Sequence, residues 1–243
     1  MEERGYFIGT AGWGIPTRYK QDFPQPGSHL ERYSQRFPIV EIDTSFYKPH
    51  RRETYERWAS SVPEHFRFAV KTPKAMTHEH RLSDCDGLAD TFLQQVEGLG
   101  EKLSVLLVQL PPSLPFEADV AGNFFDMLSK RTKARLVCEP RHPGWFEAEA
   151  EALLAGRQIA RVAADPAPVP LAATPGGWPG LAYFRWHGTP RVYYSDYDAE
   201  SLDRISRQVQ AAAASGAEVW GIFDNTASGH ALGNALKVDA MVA

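Results

Sequence analysis

Eight short runs rich in β-branched and aromatic residues recur along the chain, most followed by a polar or glycine/proline segment and then an amphipathic stretch. That alternation is how a sequence specifies βα units around a parallel sheet. The strand-like runs are Tyr6–Thr10, Ile39–Asp43, Phe66–Lys71, Leu103–Gln109, Arg135–Glu139, Ile159–Ala163, Leu181–Trp186 and Glu218–Phe223. Helices are expected at about Ser28–Arg36, Glu53–Ser61, Gly87–Leu99, Ala118–Lys130, Phe146–Ala155 and Glu200–Ala214, with a last one after Gly229. Between the sixth and seventh strands the pattern fails, because the prolines of Asp165–Pro179 forbid a regular helix. Eight strands with right-handed crossovers close into a (β/α)8 TIM-type barrel more naturally than into an open sheet. The expected fold is such a barrel, with the crossover helix between strands 6 and 7 lost or replaced by a loop. A doubly wound open sheet is the alternative.

The 243 residues match the roughly 250 of a one-domain barrel. No linker, repeat or charge block divides them, so a single domain over residues 1–243 is expected. The net charge of −4 lacks the positive excess that sequence-independent duplex binding needs. Any nucleic-acid contact would have to come from a local patch. The opening MEERGYFIGTAGWG has neither the basic start nor the continuous apolar run of a signal peptide. No apolar stretch approaches the roughly 20 residues of a membrane span, so the expected location is the cytoplasm. Cys138 sits in an apolar run and reads as a core residue. Cys85 sits in a polar turn, and the two lie outside any metal-type spacing. GTAGWG lacks the G-x-G-x-x-G spacing of dinucleotide sites and there is no P-loop, so no cofactor is named.

Side chains alternate between the faces of a strand. Tyr183, Arg185 and His187 therefore share one face, and Phe184 and Trp186 the other. The aromatic pair belongs under helices, which points Arg185 and His187 into the mouth of the barrel. By the same rule Glu41 and Asp43 oppose Val40 and Ile42, and Ala69 and Lys71 oppose Phe68 and Val70. Gln109 opposes Val108 and Leu110, and Glu139 opposes Leu136 and Cys138. The polar inward residues gather at the C-terminal strand ends, where α/β barrels place active sites. An unpaired buried polar group costs on the order of 1–3 kcal/mol. Groups on several strands must therefore pair with one another, with water or with a ligand.

Local clusters sharpen this picture. Glu139-Pro-Arg141-His142 carries a carboxylate, a guanidinium and an imidazole within four positions, suited to acid/base work or to holding an anion. An internal salt bridge from Glu139 to an arginine competes with that reading. Asp43 and Tyr47 are placed to orient a substrate, with Thr44 and Ser45 capping the next helix. In Thr77-His78-Glu79-His80, His78 offers a substrate contact. The same His-x-His is a metal-type pair to which Glu139, Asp165, His187 or Asp224 would add ligands. Asp224 and Asn225 end the last strand, and the Ser228–Gly229 turn beyond them suits either an anion or simple N-capping by Ser228. Lys71, Arg141 and Arg185 converge on the mouth, a set that suits phosphate or carboxylate. Lys71 also suits Schiff-base chemistry, and a salt bridge to Glu139 or Asp43 is its blander role.

Several blocks in order resemble the YecE-like family (domain of unknown function 72). They are Gly9-Thr-Ala-Gly-Trp13, Val40–Tyr47, Phe68–Lys71, Thr77–Leu82, Gln109–Pro112, Glu139–His142, Tyr183–Gly188 and Phe223–Asn225. The resemblance implies a TIM-type barrel and a bacterial cytosolic setting, and no particular reaction. That family usually carries Asn where Asp43 and Asp224 stand, so this pocket is less cationic than its relatives' would be.

Three functions compete. The first is an enzyme acting on a small phosphate- or carboxylate-bearing substrate. Glu139 and His142 would share the acid/base work with Lys71. Lys71, Arg141 and Arg185 would hold the anion, with Trp13, Asp43, Tyr47, His78, Gln109, His187, Asp224 and Asn225 lining the site. The second is a metal-dependent phosphoesterase or endonuclease-like hydrolase using His78, His80, Glu139, His187 and Asp224. The third is a non-catalytic protein that stacks nucleic-acid bases, or a partner, on Trp13, Tyr47 and Trp145.

Overall fold

The structure, a computed structural model, describes residues 5–243. Residues 1–4, where the N-terminal reading begins, lie outside them. Among the described residues ten strands form: β1 Tyr6–Thr10, β2 Ile39–Ile42, β3 Arg67–Lys71, β4 Leu103–Gln109, β5 Arg135–Glu139, β6 Ala160–Arg161, β7 Ala163–Asp165, β8 Gly176–Gly177, β9 Leu181–Trp186 and β10 Glu218–Phe223. They make a four-stranded sheet, β1-β10-β9-β7, and a six-stranded sheet, β2-β3-β4-β5-β6-β8. Every pairing is parallel except β6 with β8.

The two sheets meet at both ends. β6 and β7 follow each other in one extended segment, and the first pairs with β5 while the second pairs with β9. The sixth strand thus runs on to Asp165, two residues beyond the sequence expectation. On the other side, Ala11 and Glu41 form a parallel bridge, and Gly12 N donates to Glu41 O at 2.8 Å.

Helices α1 His29–Ser34, α2 Arg52–Ser60, α3 Asp86–Val96, α4 Ala118–Ser129, α5 Ala148–Gly156, α6 Ala199–Ala214 and α7 Ala231–Val242 fall between the strands. Two start where short side chains satisfy free backbone N–H groups. Ser28 and Glu31 close a capping box on α1, and Asp198 accepts from Ser201 N on α6. The caps expected from Thr44, Ser45 and Ser228 are not made. Ser45 Oγ instead donates to Ile42 O and Lys71 O, tying the end of β2 to the end of β3. Thr44 Oγ1 pairs with His50, and α7 starts without a side-chain cap.

Between β7 and β9 there is a short 3-10 turn, Pro170–Ala173, and then β8. Buried Arg161 holds this segment, donating to Leu171 O at 3.1 Å and Thr174 O at 3.3 Å and pairing with Glu151. No helix among the described residues is long and apolar enough to cross a membrane.

The strands are buried on both faces, as parallel strands flanked by helices must be. One face carries Ile39, Ala69, Val105, Leu107, Val137, Tyr183, Trp220 and Ile222. The other carries Val40, Phe68, Leu106, Val108, Cys138, Phe184 and Trp186, packed with helix residues such as Phe92, Phe125 and Ile205. Both cysteines are buried and free, Cys85 included, and Cys85 donates weakly to Met76 O and Ser83 O rather than facing solvent.

At Gly9, β1 packs tightly against the start of β2. A Cβ there would stand 2.5 Å from Ile39 O and 3.1 Å from the Tyr33 hydroxyl, which itself bridges Thr10 N and Ile39 O. Gly9→Ala is therefore expected to push the strands apart and cost about 1–3 kcal/mol, as overpacked cores do. Urea unfolding measures this, and an unchanged midpoint would show that β1 and β2 are free to separate.

Candidate active site

The ends of β2, β5, β9 and β10 converge on one side chain, Arg185, which is 0% exposed. Its Nε and Nη2 donate to Glu41 Oε1 at 3.0 and 2.7 Å, and Nη1 donates to Glu139 Oε2 at 2.6 Å. Nη2 also reaches Asp43 Oδ2 at 2.9 Å and Asp224 Oδ2 at 3.0 Å. Taking a guanidinium out of water costs several kcal/mol unless its donors are met by charge and hydrogen bonds. Four carboxyl groups meet that condition here.

His187 lies beside it. Nδ1 is 2.9 Å from Asp224 Oδ2 and Nε2 is 3.1 Å from Glu139 Oε1, so the imidazolium form donates to both carboxylates. Burial alone would lower its pKa, but the Glu139 charge and the hydrogen bonds to Asp224 and Glu139 raise it above the ordinary value. Burial likewise works against ionised Glu139, yet Arg185, Arg141 and His187 hold its carboxyl well below the usual range. Asp224 is lowered despite its burial, chiefly by Arg185 and His187. Glu41 behaves differently. Burial outweighs Arg185 and, with Asp43 and Asp224 nearby, pushes it up to about 8. The Tyr183 hydroxyl donates to its Oε2 at 2.6 Å.

These opposed shifts fix the pH dependence of stability. Glu41, raised from 4.5 to about 8, stabilises the fold fully below its ordinary value and loses that contribution as pH rises through 8. Raised His187 has the same sign. Glu139 and Asp224, both lowered, stabilise above the ordinary carboxylate range and lose their contribution as pH falls below it. Stability is thus expected to decline between about pH 5 and 8, and Glu41→Gln to flatten that decline. Urea unfolding across the range measures both, and an equal slope in the variant would contradict the assignment to Glu41.

Other residues expected at the site are distributed around this cluster. Arg141 Nη2 pairs with Glu139 Oε1 and lies 3.2 Å from His187 Nε2, while its buried Nε has no partner. Asp43 Oδ1 also has none. Lys71 is buried with Nζ 4.4 Å from the centre of the Phe46 ring, and the described residues give it no ion pair within 4 Å, neither to Glu139 nor to Asp43. Gln109 stands opposite Glu139 in the β4–β5 register. His78 packs edge-on against Phe46 and pairs with Thr77 Oγ1 at 2.8 Å. Tyr47 is 78% exposed.

Four expectations need correction. His142 does not pair with Glu139; its Nδ1 accepts from Gly144 N and caps the turn Pro143–Phe146, and the imidazole beside Glu139 is that of His187. Arg185 is not placed to hold an anion, because it is fully buried and each of its three nitrogens already donates to a carboxylate. Asn225 is buried and its Nδ2 donates to Ser195 O at 2.9 Å and Asn234 Oδ1 at 2.7 Å, which joins two loops to α7 and leaves its buried Oδ1, without a partner, as the one atom free for another role. Trp145 is buried with its Nε1 on Leu114 O and offers no stacking face. Among the described residues no three His, Cys, Asp or Glu side chains are grouped to hold a metal ion. The carboxylates that a metal-dependent reading requires surround a guanidinium instead.

Two groups escaped the sequence reading as site residues. Glu41 points inward by strand parity but lies one pair deeper than the strand ends. Tyr193 sits on the loop after β9 with φ of 69°, and its ring packs edge-on against His187 at 5.8 Å. A bulky residue at positive φ is strained, and such strain gathers at functional sites. No periodicity could have flagged it.

A cleft of about 480 Å3 opens beside the cluster, lined by Trp13, Asp43, His50, Trp58, Asp224 and Thr226 together with the Ala11–Gly14 loop. A cavity of about 530 Å3 lies at the opposite, N-terminal end of β9, among Trp178, Leu181, Phe184 and Ala211. None of its lining residues titrates, whereas Asp43, His50 and Asp224 line the first.

The family model described as "Protein of unknown function DUF72" matches residues 7–243. The chain belongs to the DUF72 family. Among its relatives, the UPF0759 protein YecE of Escherichia coli (strain K12) is 30% identical over 169 residues, covering 67% of this chain and 60% of YecE. The chain thus spans about 60% of that relative's length. A DUF72 crystal structure from Enterococcus faecalis V583 superposes with a TM-score of 0.81 at 21% identity, covering 98% of this chain and 95% of the other. One from Thermotoga maritima MSB8 gives 0.78 at 25% identity, covering 98% of each. DUF72 structures thus share this mixed α/β fold with parallel sheets.

Proposed function

We propose that this DUF72 protein is a cytoplasmic enzyme, built as one (β/α)8 barrel, that acts by acid/base chemistry on a small phosphate- or carboxylate-bearing substrate at the C-terminal strand ends. The barrel reading rests on the Ala11–Glu41 bridge and on the β6–β7 segment shared by both sheets. One observation supports the functional reading most. Around a saturated core of Arg185, Glu139, His187 and Asp224, three groups keep unused capacity: Asp43 Oδ1, Arg141 Nε and Lys71 Nζ.

Their roles follow from that capacity. Lys71 and Arg141 hold the anion, since a cation stacked on an aromatic ring or paired on one edge retains free donors. Asp43, one oxygen fixed by Arg185, exchanges a proton with the substrate through the other. Glu139, engaged on both oxygens, positions Arg141 and His187 instead of taking the proton itself. Tyr47, His78, Gln109 and Tyr193 surround the bound molecule.

A thermal-shift screen of phosphorylated and carboxylated metabolites tests this. At least one is expected to raise the melting temperature, with Lys71→Met or Arg141→Leu weakening it tenfold or more, the loss of one charged hydrogen bond of about 1.5–3 kcal/mol. Asp43→Asn is expected to bind the same compound but not turn it over. Binding unchanged in both cation variants would overturn the assignment.

A further inference from the structure

We infer that the cleft between Trp13, His50 and Trp58 is a subsite for a hydroxyl-rich ring, so that the substrate is a sugar or cyclic polyol carrying the anionic group. The inference rests on the anion reading above and goes beyond it by naming what the anion is attached to.

The walls of the cleft are aromatic and uncharged. Trp13 and Trp58 meet edge to face with centroids 4.9 Å apart, and His50 packs on Trp58 at 4.8 Å. His50 Nε2 is held by Thr44 Oγ1 at 2.7 Å, and burial lowers its pKa, which keeps the ring neutral. Aromatic walls of this kind bind the C–H face of a saturated ring through dispersion and the ring quadrupole. The floor is polar: Asp43 and Asp224 line the same cleft.

What the floor prefers is decided by charge. The Oδ2 atoms of both carboxylates are already on Arg185, and His187 shares that of Asp224. With Glu41 protonated below about pH 8, the three carboxylates around Arg185 face Arg185, Arg141, Lys71 and His187, so the cleft has no surplus negative field to attract a free cation. It offers fixed acceptors instead, Asp43 Oδ1 among them, and fixed acceptors whose charge is already offset by neighbouring cations favour hydroxyl donors over a free cation. There is also room. Gly12 and Gly14 line the cleft, and nothing stands within 4 Å of where their Cβ atoms would be. The 480 Å3 lies within the roughly 300–1,000 Å3 of small-molecule sites.

The test uses the full chain and follows tryptophan fluorescence and melting temperature. The probes are ribose 5-phosphate, glucose 6-phosphate and glucuronate, set against inorganic phosphate, free ribose and glucose, and tetramethylammonium. At least one sugar phosphate or sugar acid is expected to bind ten times more tightly than inorganic phosphate. Trp13→Leu is expected to remove that gain and leave inorganic-phosphate affinity unchanged, whereas Lys71→Met weakens both. Trp58→Leu, on a different element, repeats the test should the first variant fold poorly.

Sugar phosphates no tighter than inorganic phosphate would overturn the subsite and leave the anion reading standing. Free sugars bound through Trp13, with no response to phosphate, would do the reverse. Tetramethylammonium bound in preference to every sugar would make the cleft a cation cage and end the proposal, as would no response to any probe.

Discussion

Replacing Arg185 by leucine is expected to destabilise the protein by about 3–5 kcal/mol near neutral pH, the cost of leaving buried charges without their partner. The guanidinium serves Glu41, Asp43, Glu139 and Asp224 at once. Without it, the buried Glu41, Glu139 and Asp224 and the part-exposed Asp43 repel one another, and the buried groups relieve this by taking up protons. The deficit should therefore shrink as pH falls from 7.5 toward 5, because protonation does what Arg185 did. Urea unfolding at the two pH values measures both effects. A loss below about 1 kcal/mol, the range of an exposed ion pair, would show that water reaches the cluster.

Glu139→Gln should cost about 3 kcal/mol for a related reason, with a different pH signature. Glu139 accepts from Arg185 Nη1 on one oxygen and from Arg141 and His187 on the other. Glutamine turns one acceptor into an N–H2 donor that must face another donor. His187 also loses the charge that lifts its pKa, so its titration should move back toward the ordinary histidine range, observable by NMR of the imidazole C–H signals. The stability deficit should narrow as pH rises through the wild-type pKa of His187, the opposite direction from the Arg185 variant. If His187 kept its raised pKa in Glu139→Gln, Asp224 alone would be holding its proton.

Strand parity carried the reading of the sheets because these strands are buried on both faces. Phe184 and Trp186 had to oppose Tyr183, Arg185 and His187, and they sit in separate apolar clusters from Tyr183. Parity also brought Asp43, Glu139, Arg185 and His187 to one place, and Asp224 joined them as the end of the last strand. It could not say who pairs with whom. His142 is close to Glu139 in sequence and His187 is not, yet the strand holds His187 against the carboxylate while the two prolines turn His142 away to cap its own loop. Counting cations suggested an anion pocket; only the distances reveal that Arg185 is consumed within the protein. Glu41 was legible as inward-facing but not as a partner, since nothing local links it to a residue more than a hundred positions away.

That distance has a consequence for how the molecule assembles. Arg185 bonds across 144 residues to Glu41, 46 to Glu139 and 39 to Asp224. Loop-closure entropy makes such contacts late and slow to form. A chain with β9 in place but β2 or β10 undocked would bury a guanidinium short of its counter-charges, a state disfavoured on both sides of the missing strand. The cluster thereby ties the two ends of the chain to a common event: neither half is electrically satisfied until the other arrives.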